Sequence, residues 1–280
     1  MGTIAKLVKV WETKNAKNVA NASGISMMAL SLAACGGGGG GSAPAPVVVD
    51  TTPVVVPVTS ALTIWNNTIV GTTADDIITG ARIDTVQTFN SGDSIALGDG
   101  NDSLSATLNA GTVTPVAMTG VENVMFTALG AATVDFDNVS GVTSITSRGS
   151  SETLLVDDIQ EIPISISINN NTAVQTFVIK DTAVAGTTDS VTLNFDGVGG
   201  VVNVGGETDG DGDIETFTIV ASAGASDLGV GNGFGADATT ITVNATSALD
   251  LGSTAQFIAS TNFDASASTA AVTSVFAAKT

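Results

Sequence analysis

From residue 61 onward the apolar residues of this chain recur at every second position. Val191, Leu193 and Phe195 alternate with Thr192 and Asn194, and Ile241, Val243 and Ala245 with Thr242 and Asn244. Val134 and Phe136 alternate with Asp135 and Asp137, and Ile162, Ile164, Ile166 and Ile168 with Pro163, Ser165 and Ser167. A strand turns successive side chains to opposite faces, so this period places an apolar row inside and a polar row outside. No apolar stripe of helical spacing competes with it. Thr, Val and Ile fit a pleated surface, and clusters of Gly, Asn and Asp mark turns between the runs. The expected fold is all-β. Pro163 lacks the N–H a ladder needs, so its strand starts there or lies on an edge.

Two internal similarities bear on how the strands are arranged. Val121-Glu122-Asn123 matches Ile214-Glu215-Thr216, and Asp102-Ser103-Leu104 matches Asp189-Ser190-Val191, both at offsets near 90 residues. Stacked coils suit such a sequence, because neighbouring turns bury the apolar row without many aromatics. A parallel β-helix or β-roll-like solenoid is therefore expected, with tandem β-sandwich modules as the alternative. The organisation read from composition is a leader over 1–35, a linker over 36–60, a first acidic module over 61–185 and a second over 186–280. The last of these ends without a cap of its own, as a fragment of something longer would.

Charge divides the chain in two. Four of its eight basic residues, Lys6, Lys9, Lys14 and Lys17, lie in the head, whereas every acid but Glu12 lies from Asp50 onward, for a net charge of −19. Few cations remain to neutralise phosphates, so nucleic acid is not an expected partner. With no His, imidazole takes no part in catalysis or metal binding. Paired-carboxylate glycosidase chemistry needs a cleft with aromatic platforms, and the body has one Trp and no Tyr. The chain is expected not to be an enzyme.

The head leads into the apolar run Ile25–Ala34, too short for a permanent span and suited to a secretion signal. It ends Leu32-Ala33-Ala34-Cys35, and Cys35 is the only cysteine. These four residues resemble a bacterial lipobox, which implies lipidation at Cys35; a buried structural Cys and an uncleaved amphipathic leader are the alternatives. Gly36–Gly41 and the Pro/Val-rich stretch 43–60 read as a tether and a semi-rigid spacer.

Two acidic turns carry the candidate chemistry. Gly98-Asp99-Gly100-Asn101-Asp102-Ser103-Leu104 is a Gly-rich turn in which carbonyl and carboxylate oxygens can face a hard cation such as Ca²⁺. It resembles the haemolysin-type (RTX) nonapeptide, with Leu97 where the first glycine should be. The stretch Gly71–Gly80 resembles a degenerate copy of that family's opening repeat. The resemblance implies Asp76 and Asp102 as ligand carboxylates, with Gly98, Asp99 and Gly100 supplying turn backbone. The second turn is Asp209-Gly210-Asp211-Gly212-Asp213-Ile214-Glu215. Ile214 stands at its sixth position and Val220 at its twelfth, which rejects an EF-hand. Asp209, Asp211 and Asp213 remain cation candidates because a divalent ion would relieve their mutual repulsion, while water and salt would do the same for a free loop.

The segments 97–108, 120–145 and 212–223 together resemble bacterial S-layer and RTX-like β-strand-repeat surface proteins. That likeness implies a calcium-stabilised, non-catalytic structural protein at the bacterial surface, outer membrane or outside the cell. It would associate with itself or with envelope components and touch the membrane only through an anchor at Cys35. RTX-like proteins generally leave by a C-terminal signal, whereas a lipobox implies the general secretion route. An adhesin or glycan-binding module is the alternative, with Trp65 and Phe89 as its aromatic candidates. A β-helix polysaccharide lyase is the third reading.

Overall fold

The computed structural model describes residues 55–207, 214–228, 238–252 and 260–275. The described residues form strands and turns and no helix, and the strands are short, from two to seven residues. They stack in parallel as a β-solenoid. The longest face holds ten strands, running from Thr59–Ala61 through Ser103–Leu108, Asn123–Ala128, Ser144–Arg148, Ser165–Asn169 and Ser190–Asp196 to Asn262–Asp264. Sheets of four, five and three strands close the remaining sides. All pairing between strands is parallel, which antiparallel sandwich modules do not provide. Between Thr59↔Ile77 and Ser165↔Thr192, one coil uses from 18 to 27 residues. The stack continues across residue 185, where Ser165–Asn169 pairs with Ser190–Asp196.

The alternating rows become two vertical stacks inside the coils. One runs Ile78, Leu104, Val124, Ile145, Ile166, Leu193, Ile219, Val243, each paired with the next and all buried. The neighbouring stack mixes sizes, with Gly80, Ala106, Phe126, Ser147, Ile168, Phe195, Ala221 and Ala245 in register. Phenylalanines fill the space the small residues leave. Phe89 sits against Gly80 and stacks on Phe126 with ring centroids 6.2 Å apart, and Phe136 meets Phe126 edge-on at 6.4 Å. Burying each such ring contributes about 1.5–3 kcal/mol.

One run departs from its expected phase. Ile166 and Ile168 face inward, but Ile164 is 72% exposed and Pro163 is buried. The strand begins only at Ser165, so Pro163 and Ile164 belong to the preceding corner. Outside a ladder nothing holds the two-residue alternation. Pro163, expected to begin the strand or mark an edge, instead lies two residues ahead of a strand in the middle of the sheet, where its lack of an N–H costs the ladder nothing.

A neutral polar cluster interrupts the apolar interior. Ser147, Ser150, Asn171 and Gln175 are all buried. Ser147 Oγ donates to Gln175 Oε1 at 2.6 Å, Asn171 Nδ2 donates to Ser147 Oγ at 2.8 Å, and Ser150 N donates to Asn171 Oδ1 at 2.9 Å. Ser150 Oγ in turn accepts from Ala128 N at 2.9 Å. Every polar side-chain group in this cluster has a partner, as a buried network must.

Candidate metal centre

The coils meet at a corner immediately before each strand of the ten-stranded face. There the backbone carbonyl of one coil accepts the first strand N–H of the next, as in Ser103 N to Asp76 O at 2.9 Å and Asn123 N to Asp102 O at 3.0 Å. The corner residue's own N–H takes a different partner. A carboxylate from the following coil supplies that partner. Val58 N donates to Asp76 Oδ1, Asp76 N to Asp102 Oδ1 at 2.6 Å, and Asp102 N to Glu122 Oε2 at 2.8 Å. Asp75 Oδ1 accepts Asn101 N at 2.9 Å beside the same corner. Four acids thus collect where the turns 71–76 and 98–102 stack.

The two turns approach backbone to backbone. Gly98 has φ +96° and Gly100 φ +140°, both in the region where side chains are strained. A Cβ on Gly98 would lie 2.6 Å from Thr72 O, and one on Gly100 would lie 2.8 Å from Ala74 O and 2.9 Å from Asp102 Oδ1. A main-chain carbonyl and the Asp102 carboxylate therefore converge beside Gly100.

The four oxygens of Asp76 and Asp102 are not used alike. Asp76 is buried and spends both: Oδ1 on Val58 N and the Thr72 hydroxyl, Oδ2 on Thr72 N at 2.7 Å. Burial opposes its ionisation, but these hydrogen bonds from Thr72 and Val58 outweigh burial and hold its carboxyl below the usual aspartate range. Asp102 is also 0% exposed, although the turn that precedes it, Gly98–Asn101, is exposed. Its Oδ1 accepts Asp76 N, while Oδ2 is buried with no partner. Burial raises its carboxyl; Asp76 N–H works the other way, and the charges of Asp76, Glu122 and Asp75 add to the rise. A lone buried carboxylate oxygen among like charges is costly unless a proton or a cation reaches it.

The turn residues predicted from sequence are thus brought together, with different parts. Asp102 offers a free oxygen, Gly98 and Gly100 permit the close approach, Asp99 is exposed, and Asp76 is consumed in holding the corner. Asp209, Asp211, Asp213 and Cys35 lie outside the described residues. Phe89 is in the core, so it forms no surface pair with Trp65, which is 75% exposed.

A second acidic corner was not foreseen. Asp135, Asp137 and Asp158 each bring a carboxylate oxygen within 4.8 Å of the others, close enough to share a metal ion. Lys180 Nζ already stands among them, 2.8 Å from Asp158 and 3.1 Å from Asp137, with Glu207 at 3.7 Å. Hydrogen bonds from Lys180, then from Glu207, lower the Asp158 carboxyl, and the Asp158 bond raises that of Glu207. Asp157 next to them is raised, chiefly by burial and then by Asp158. These residues come from four successive coils, so only the parallel register unites them. The outward phase of Asp135 and Asp137 was the one signal available.

No protein-family profile, curated protein or solved structure matches this chain.

Proposed function

We propose that this protein is a non-catalytic structural scaffold of the bacterial cell surface, stabilised by Ca²⁺ bound between coils at Asp102. The observation that carries the cation is the partnerless, buried Asp102 Oδ2 in a corner that already holds Asp75, Asp76 and Glu122. The donor set is all oxygen, from carboxylates and turn carbonyls, which suits a hard divalent ion. Asp102 and the Thr72–Ala74 and Gly98–Gly100 backbone would hold it; Asp76 would set the corner's shape. The bound ion would supply positive charge where the fold has gathered negative charge. The surface location rests on the basic head, the apolar run and the lipobox-like end at Cys35, and on the resemblance to S-layer and RTX-like proteins. The interior of the described coils is filled largely with apolar side chains, which suits a mechanical element.

A ligand that binds the folded state alone stabilises by about 2.7 kcal/mol at a hundredfold excess over its Kd. Thermal unfolding of the full chain in Ca²⁺ and in EDTA measures this directly. A higher Tm in Ca²⁺ is expected. Equal melting temperatures for the native chain in the two buffers would refute the cation part of the reading.

A further inference from the structure

The outer surface of the ten-stranded face is unlike the rest of this acidic protein. Its outward residues are mostly Ser, Thr and Asn, and the charged ones on its strands are Arg148, Asp196 and Asp264. For a chain of net charge −19 this is a surface on which two copies can approach without strong like-charge repulsion.

Near its middle the side chains other than Ser, Thr and Asn are placed symmetrically, while Ile77 and Asp264 stand four strands out on either side. Arg148 pairs in register with Asn169, and Asn169 with Asp196, so Arg148 and Asp196 flank the strand Ser165–Asn169 at one height, one strand to either side. Two strands to either side, at the height of Ser167, stand Met125 and Val220. Met125 pairs with Thr146, Thr146 with Ser167, Ser167 with Asn194, and Asn194 with Val220. A two-fold axis running along Ser165–Asn169 between two facing sheets keeps height and exchanges left for right. It therefore sets Arg148 against Asp196 of the other copy, twice, and Met125 against Val220, twice. The same operation gives charge complementarity and apolar complementarity together, which is what a self-complementary interface requires. Arg148 is exposed, and its guanidinium has no hydrogen bond or ion pair among the described residues.

We propose that this face binds a second copy of the chain, sheet against sheet, about a two-fold axis along Ser165–Asn169. Ten strands of three to seven residues, about 10–23 Å long at about 3.3 Å per residue and about 4.8 Å apart, present an area of about 800 Å², near the per-partner area of an ordinary stable interface. The inference deepens the scaffold reading by naming its partner, and takes its biological sense from it. Its geometry does not involve the cation corner.

Sedimentation velocity of the full chain, in Ca²⁺ and in EDTA, tests it. A dimer is expected below about 100 µM. R148E sets Glu against Asp196 and should weaken dimerisation about tenfold or more. M125K, which sets Lys against Val220, should do the same. The double variant M125K/V220E should restore the dimer through two reciprocal ion pairs. Circular dichroism of each variant confirms that the coils persist, since all three side chains point outward. A monomeric native chain, or a dimer indifferent to both R148E and M125K, overturns the proposal. The cation reading stands or falls separately, on the thermal shift of the native chain.

Discussion

Asp102 and Asp189 occupy equivalent corners on different coils, and the contrast between them shows what makes a corner reactive. Each precedes Ser and an aliphatic residue, and each gives its N–H to a glutamate of the next coil, at 2.8 Å to Glu122 and 2.9 Å to Glu215. The carbonyl pattern repeats as well, with Thr143 and Thr239 capping Glu122 and Glu215 in the same way. The residue beneath differs. Asp102 has Asp76 opposite it on the preceding coil, whereas the register Ser165↔Thr192, extended back, sets the uncharged Ile162 opposite Asp189. Asp189 is half-buried and uses Oδ2 to accept Gly186 N at 3.1 Å. A single carboxylate at a corner is a cap; two stacked carboxylates leave one oxygen with nothing to hold.

The largest effect that sharpens this contrast comes from the turn itself. Gly100→Val should destabilise the native chain by about 2–4 kcal/mol, since its φ of +140° and its contact with Ala74 O admit no side chain. Denaturant titration measures it. Gly186→Ala beside Asp189 should cost less, because the Cβ would meet a side-chain carboxylate, not backbone.

Next in size is removal of the charge. Asp102→Asn should abolish the Ca²⁺-dependent rise in Tm and stabilise the cation-free protein by about 1–3 kcal/mol, as a neutral amide suits a buried site among acids. Asp189→Asn should leave the Ca²⁺ response intact and shift stability by less than about 1 kcal/mol. Parallel Ca²⁺ titrations of the two variants, read by thermal unfolding, decide the matter. If both respond to Ca²⁺ like the native chain, the contrast between the corners carries no functional meaning.

The smallest effect concerns the corner that holds its own cation. The folded Asp158 carboxyl lies below its usual value, held there first by Lys180. Its contribution is thus fully present above the ordinary aspartate range and is lost as pH falls through the lowered value. Lys180→Met should move the acid-unfolding midpoint to higher pH by a small amount. It should also make the Asp135–Asp137–Asp158 triad more responsive to Ca²⁺ than in the native chain. An unchanged midpoint would show that the ammonium adds nothing beyond what water supplies.

Much of the architecture was legible because parallel coils repeat one rule. The runs at 134–136, 191–195 and 241–245 announced inward rows, and all are buried as read. The similarities near 90 residues were also informative: they are the two halves of one contact, Asp102 to Glu122 and Asp189 to Glu215. Their spacing covers several coils, because coil length varies and blurs any shorter period. Two things were hidden. The phase slip at Pro163–Ile164 depends on where a ladder begins, which side-chain pattern alone does not say. The Lys180 corner depends on register across four coils, and no local motif encodes that. At the first corner the turn was visible, but which of its two aspartates keeps a free oxygen depends on partners from loops 4 and 26 residues away.

The corner contacts have one more implication. Each joins only adjacent turns, so an opening at one rung strands little more than its immediate neighbour. A molecule assembled this way under tension would yield rung by rung, like a zip, and close again from whichever rungs survived.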